Sequence, residues 1–230
     1  MAEEQNRILE ALPRADRLRL LAACEFCELV HAQVLCEHGA ELHNVYFPVK
    51  GSIALVSQID LHPGVEVGLI GREGMLGAHL ALGVGAAPMR AVVQGAGACW
   101  RLASAVFRRE LSRNGPLQRA VDAYVYVLVE QMAAAVACRR FHMIAPRLAR
   151  WLLMSQDRAH ADHFHITHEF LAYMLGVRRV GVTVAAGMLQ RAGLIAYHRG
   201  EVAVLDRAGL EAAACSCYAS DLQAYGRRLA

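Results

Sequence analysis

The placement of glycine constrains this chain more than any other feature. Gly recurs at 39, 51, 64, 68, 71, 74, 77, 83, 85, 95 and 97, and then from Pro116 to His142 neither Gly nor a second Pro occurs. The close-set glycines separate apolar stretches too short for helices: VYFPV (45–49), SIALVSQI (52–59), VEVGLI (65–70) and MRAVVQ (89–94). Short strands punctuated in this way predict a β-roll, jelly roll or barrel. The Gly-free stretch predicts one long helix with Pro116 at its first position, where a missing N–H costs nothing. Ahead of the roll, NRILEALPRADRLRLLAA (6–23) predicts two short amphipathic helices separated by Pro13, forming a lid.

A length of 230 residues, 56% hydrophobic and 20% charged, suits two modest globular units and excludes a disordered or collagen-like chain. Apolar runs are broken by Gly, Gln or Arg before the ~20 residues a bilayer span needs, and MAEEQNRILE lacks the basic-then-apolar order of a leader. A cytoplasmic location with no membrane partner is expected. The seven cysteines are an odd number in a chain too large to need staples, which predicts reduced thiols.

Charge is divided unevenly. Residues 1–143 hold 14 basic and 14 acidic groups, whereas residues 144–230 hold 10 and 7 and so carry the whole net charge of +3. Lys50 is the sole lysine, so every other side-chain cation is an arginine, whose planar fork suits phosphates and guanine edges.

On the long helix, a heptad frame through Leu117, Val121, Tyr124, Leu128, Gln131, Ala135, Cys138 and His142 gives a largely apolar seam. Pairing with a second copy would cover it; packing on the chain's own roll is the alternative. Beyond it, PRLARWLLMSQ (146–156) predicts another amphipathic helix and RAHADHFHI (158–166) a polar, His-rich loop. Thr167 is placed to cap HEFLAYML (168–175), Gly176-Val177 to turn, and RRVGVTVAAGMLQRA (178–192) to form a second helix ended by Gly193. LIAY (194–197), HRG (198–200) and EVAVL (201–205) then predict a hairpin. Helix, turn, helix and hairpin make a winged arrangement. Leu171, Leu175, Val177, Val182 and Ala185 can face one core, leaving Arg178, Arg179 and Thr183 at the exposed N-terminal end of the second helix. That end of a recognition helix enters the major groove.

The segment ITHEFLAYMLGVRRVGVTVAAGMLQRAGLIAYHRGEVAVLD (166–206) resembles the winged helix-turn-helix of the Crp/Fnr family of cyclic-AMP receptor and fumarate-nitrate regulators. HNVYFPVKGSIALV (43–56) and GLIGREGMLGAHLALG (68–83) resemble parts of that family's roll. The resemblance implies an α+β chain. It divides into a double-stranded β-helix (jelly-roll, cyclic-nucleotide-binding-like) domain at 1–113, a dimerisation helix at 114–143 and a winged helix-turn-helix domain at 144–230. It implies a non-enzymatic, homodimeric transcription regulator that binds a palindromic site on double-stranded DNA. RNA polymerase and a small-molecule effector are further implied partners, and no cofactor is required for the fold.

Carried over by position, the DNA-contacting set is Thr167, His168, Arg178, Arg179, Val180, Thr183, Val184, His198 and Arg199. Arg179 keeps a base-reading arginine, while Val180 stands where the best-known members have a carboxylate and Val184 where they have a second arginine. The operator should differ accordingly, with thymine-methyl contact replacing hydrogen-bond readout. In the roll, the effector positions fall on Met75, Leu76, Met89 and Arg90. Here the ribose-binding glutamate is absent and the phosphate-binding arginine is displaced by one residue, which on a strand turns a side chain to the other face. An effector other than cyclic AMP is expected.

Cys24, Cys27, Cys36 and Cys99 resemble the ligand set of the family's iron-sulfur branch, although buried free thiols are the plainer reading. Cys215-x-Cys217 offers two thiols, too few for a structural zinc. His160, His163, His165 and His168 could hold a metal only if their loop folded back. The competing class is a cupin-like metal enzyme on the same roll, for which only the widely spaced His43, His62 and His79 are available. A module that docks protein instead of DNA is the third reading.

Overall fold

The structure, a computed structural model, describes residues 6–60, 64–159 and 162–228; His62 and His160 lie outside them. Two short helices, α1 (Arg7–Glu10) and α2 (Arg14–Ala22), flank Pro13. Ile8, Leu9, Leu12 and Leu20 bury themselves against the roll, and the buried Asn6 caps α1 while its amide donates to the Pro48 and Gly74 carbonyls. The lid is therefore fastened at its first described residue.

The roll contains β1 (Glu25–Leu29), β2 (Val34–Cys36), β3 (Asn44–Ser57), β4 (Val65–Ile70) and β5 (Arg90–Ala103), with a 3-10 turn over Ala78–Leu82. β5 pairs with β1, β2 and β3, and β3 pairs with β4, all antiparallel. The register between β3 and β5 slips around Lys50 and Ser52. A Cβ at Gly51 would sit 2.4 Å from the Gly95 carbonyl oxygen, and Gly51 has φ +85°. Only glycine permits that approach, and the resulting bulge lets two 14-residue strands bend over themselves.

The chain continues through α3 (Ser104–Arg113), α4 (Gly115–Phe141) and α5 (Ile144–Ala159). Asn114 caps α4 by accepting from the Leu117 N–H, and Pro116 occupies its first turn as expected. The predicted seam is not a free face. Leu117, Val121, Tyr124, Gln131 and Cys138 are buried within the chain, against the roll and the C-terminal segment, because the roll alone leaves that stripe to cover. The outward apolar residues are Tyr126, Val129, Val136 and Phe141 and, just beyond the helix, Met143. The seam is thus corrected by several positions around the helix. α4 also meets the length and composition of a membrane span, contrary to the sequence reading, while its inner face, with Leu117, Val121, Tyr124 and Val127, is buried within the chain.

β6 (His163–His165), α6 (His168–Leu175), α7 (Arg179–Arg191), β7 (Ile195–His198), β8 (Glu201–Val204), α8 (Arg207–Ala213) and α9 (Cys217–Arg228) complete the chain. The segment read as a polar loop holds a strand: β6 pairs with β8, which pairs with β7. α3, α8 and α9 were not anticipated. α9 returns to α4, where Gln131 donates to the Tyr225 hydroxyl. One core joins α5, α6, α7 and the hairpin to Ala54, Val56 and Leu69 of the roll, so the winged unit is docked on β3 and β4.

Candidate nucleic-acid interface

Local chemistry builds the winged unit. The Thr167 hydroxyl accepts from the Phe170 N–H and caps α6, and Gly176 closes it with φ +64°. A side chain at Gly176 would meet Val65 at 2.8 Å, so the position is fixed by both backbone angle and space. Leu171, Ala172 and Leu175 on α6 pack with Val182, Ala185 and Leu189 on α7. The hairpin turns through Arg199 (φ +50°) and Gly200 (φ +89°), with His198 paired to Glu201, the geometry of a two-residue primed turn.

This packing leaves a defined face outward. Arg178 immediately precedes α7 and Arg179 begins it; both are exposed, as are Val180, Thr183 and Val184. His198 and Arg199 are exposed on the wing. Among the described residues no carboxylate pairs with Arg178, Arg179 or Arg199. His168 is held more firmly: its Nδ1 lies 3.0 Å from the Thr183 hydroxyl, and its ring stacks on Tyr197 at 4.3 Å. Burial, with Arg179 nearby, pushes its pKa below the usual histidine value, which favours a neutral imidazole bridging the two helices. Thr183 also donates to the Arg179 carbonyl, so its hydroxyl is partly committed within the unit.

Residues 146–213 match the family of Crp-like helix-turn-helix domains. The C-terminal unit is thus similar to Crp-like helix-turn-helix domains. No curated protein matches the chain. Among solved structures, FixK2 from Bradyrhizobium japonicum superposes with a TM-score of 0.70 at 12% identity, over 84% of this chain and 98% of that one. A candidate Crp/Fnr-family regulator from Eubacterium rectale gives 0.67 at 14%, over 90% and 96%. The c-di-GMP-responsive regulator CLP of Xanthomonas campestris gives 0.65 at 15%, over 84% and 99%. The whole architecture, roll included, is thus of Crp/Fnr type.

In the Crp/Fnr-type roll the four effector positions do not converge on a polar site. Met75 and Leu76 are buried, and Met75, Leu76 and Met89 line a cavity of about 320 Å³ whose other walls include Leu55, Ile70, Leu128 and Met132. Arg90 is not among its walls and instead pairs with Glu37 at 3.2 Å. The cavity lies between roll and α4, which supplies Val125, Leu128, Val129 and Met132.

The cysteines of the roll divide. The Cys27 and Cys99 sulfurs are 3.3 Å apart across β1 and β5, while Cys36 points at the Met89 carbonyl and burial pushes the Cys24 thiol up to about 12. Among the described residues, one group of His, Cys and carboxylate side chains converges closely enough to share an ion, and it lies elsewhere: Cys138, His142, Cys215 and Cys217. Counting two thiols at Cys215-x-Cys217 therefore undercounts the group, because Cys138 near the end of α4 and its C-cap His142 contribute two more ligands from far back in the sequence. The histidines of the predicted loop do not join it: His165 pairs with Glu201 at 2.7 Å on the wing sheet, and His163 is exposed on β6. Of the histidines considered for a cupin-like centre, His43 is exposed, and His79 is half-buried with its pKa lowered by burial.

Proposed function

We propose that this chain is a homodimeric, sequence-specific transcription regulator whose two winged units read a two-fold symmetric DNA site under the control of the β-roll. One observation carries the reading: three exposed arginines without carboxylate partners among the described residues, at the tip of α7 and on the wing, on a unit whose core packs those two elements together. Arg179 reads a base edge, Val180 and Val184 meet thymine methyls, and Arg178 and Arg199 hold phosphates. Thr167 and His168 position the start of α6 beside the backbone, with Thr183 and His198 flanking the contact. The test is a mobility shift on fragments selected from genomic DNA across a salt series. Affinity that falls steeply with salt is expected; lack of affinity for every duplex at low salt overturns the reading.

The three functional units are residues 1–113, 114–143 and 144–230, and the second copy packs along the outward face of α4. RNA polymerase as a partner and the cytoplasm as location belong to the same reading, on grounds of kinship.

The effector we assign to the roll is small and apolar and is not a cyclic nucleotide. The cavity beside Met75 and Met89 is lined mainly by methyl and methylene groups, with Cys36 and His79 its polar walls, and Arg90 lies outside it in an ion pair with Glu37. A molecule filling it touches the roll and α4 together, and so favours one placement of α4 over another in proportion to its difference in affinity for the two. Isothermal calorimetry with cyclic nucleotides should show no heat of binding; micromolar affinity would reverse this assignment.

A further inference from the structure

The C-terminal end of α4 and the approach to α9 bring together four side chains of one chemical kind. The Cys138 sulfur lies 3.6 Å from that of Cys215, the Cys217 sulfur lies 3.6 Å from Nδ1 of His142, and all four atoms fall within 4.8 Å of one another. A tetrahedral zinc ion, with Zn–S of ~2.3 Å and Zn–N of ~2.0–2.1 Å, sets ligand-to-ligand edges of about 3.8 Å between sulfurs and about 3.6 Å from sulfur to nitrogen. The Cys217–His142 edge already has that length, and the Cys138–Cys215 edge is about 0.2 Å shorter than it. A set of three sulfurs and one imidazole is also the composition of closed, structural zinc sites.

The backbone explains the convergence. Cys138 lies in the last turn of α4 and His142 is its C-cap, whose N–H still donates to the Cys138 carbonyl at 3.0 Å and so keeps the two residues one turn apart. Cys215 and Cys217 straddle the entry to α9, where the Cys215 N–H donates to the Pro146 carbonyl at 3.3 Å and anchors the segment over the α4–α5 junction.

The charge around the cluster is of the right sign. Three thiols that give up their protons to solvent on binding Zn²⁺ leave a unit of net charge −1. Arg139, Arg147 and Arg150 lie within electrostatic reach of Cys138. Arg150 is paired with Asp221 at 2.6 Å. Arg147 and Arg139 are instead spent on the Leu175 and Glu66 carbonyls, and no carboxylate forms an ion pair with either among the described residues. Arg147 is buried and Arg139 half-buried, and the Glu66 carboxyl is one anion within reach of three arginines there, so a thiolate-metal unit of net charge −1 beside them is electrostatically favoured.

We propose that Cys138, His142, Cys215 and Cys217 form a tetrahedral site for zinc or a zinc-like divalent ion that clamps the end of the dimer helix to the start of the last helix. The site spans the junction at His142 and Met143, where α4 stops and the winged unit begins, so the ion fixes the angle at which that unit is carried. It is independent of the roll cavity and of the DNA-facing side chains.

The test uses the full chain, reduced and stripped of metal with a chelator, then titrated anaerobically with Co²⁺ and with Zn²⁺ against a chromophoric competitor. One ion per chain, an intense tetrahedral ligand-field spectrum with thiolate charge-transfer bands, and displacement of Co²⁺ by Zn²⁺ are expected. Cys217→Ser and His142→Ala should each weaken binding at least tenfold and alter the cobalt spectrum, whereas Cys24→Ser in the roll should do neither. The use of two variants from different elements guards against one that fails to fold. A reduced chain that takes up no cobalt, or one whose uptake is lost in Cys24→Ser and kept in Cys217→Ser and His142→Ala, overturns the proposal. So does a cluster that yields only a Cys138–Cys215 disulfide in air and binds no metal when reduced.

Discussion

The Arg158 guanidinium lies 2.6 Å from the Glu73 carboxylate, both side chains nearly buried, across the boundary between the winged unit and the roll. Glu73 also accepts the Gly71 N–H at 3.1 Å, and Arg158 donates to the Met154 carbonyl at 2.9 Å. The ion pair therefore ties the turn at Gly71–Gly74 of the roll to α5.

Removing one partner leaves a buried charge without compensation. Glu73→Ala should destabilise the chain by about 3–5 kcal/mol in denaturant unfolding, while Glu73→Leu combined with Arg158→Met should recover most of that loss. A loss below about 1 kcal/mol for the single variant would show that the pair is screened by solvent.

Arg179→Ala should cost about 1–3 kcal/mol on the selected operator and relax preference at one base step, whereas Arg199→Ala should weaken specific and random duplexes alike. Quantitative footprinting on both kinds of DNA separates the two. Equal losses on specific and random duplexes for Arg179→Ala would remove its base-reading role.

The corrected face of α4 makes its own prediction. Val136 is 67% exposed and Val129 59% exposed, whereas Val121 is fully enclosed. Val136→Glu should raise the dimer dissociation constant tenfold or more and leave the far-ultraviolet dichroism unchanged. Val121→Glu should instead unfold the chain, since it buries a charge without a partner. Sedimentation equilibrium reads the first outcome, and a Val136→Glu dimer as tight as the parent would put the contact elsewhere.

Burial raises the Glu66 carboxyl from 4.5 to about 7, although the Trp151 indole N–H donates to it at 3.3 Å. A folded-state value above the unfolded one means that the folded chain binds the extra proton. The associated stability is complete below pH 4.5 and disappears as pH rises through about 7. Glu66→Gln should flatten the stability profile over that interval and raise stability above it by up to about 3 kcal/mol. A profile with the same slope as the parent would mean that the surrounding arginines hold the carboxyl ionised.

The winged unit was legible because its instructions are local. Thr167 caps, Gly176 turns and Arg199-Gly200 reverses the chain within a few residues of where each is read. The roll was legible through its glycines, of which Gly51 is the clearest. α4 was legible as a helix but not in its facing, since Val121 and Tyr124 on one side and Val129 and Val136 on the other are all apolar, and periodicity alone does not say which side meets the roll. β6 was hidden because His163 and His165 are poor strand formers that depend on pairing with β8. The four-ligand cluster left only its Cys-x-Cys in the sequence, because its other half comes from α4 and no short spacing records that contact.

The two branched aliphatic side chains beside Arg179 carry a further implication. A protein surface that identifies a base by the methyl at its fifth carbon responds to that methyl whichever pyrimidine bears it. On the proposed reading, in which Val180 and Val184 meet thymine methyls, cytosine modified there by a methyltransferase would present the same bump as thymine, so an epigenetic mark within the target would create a site, or shift an existing one, with no change in genetic sequence.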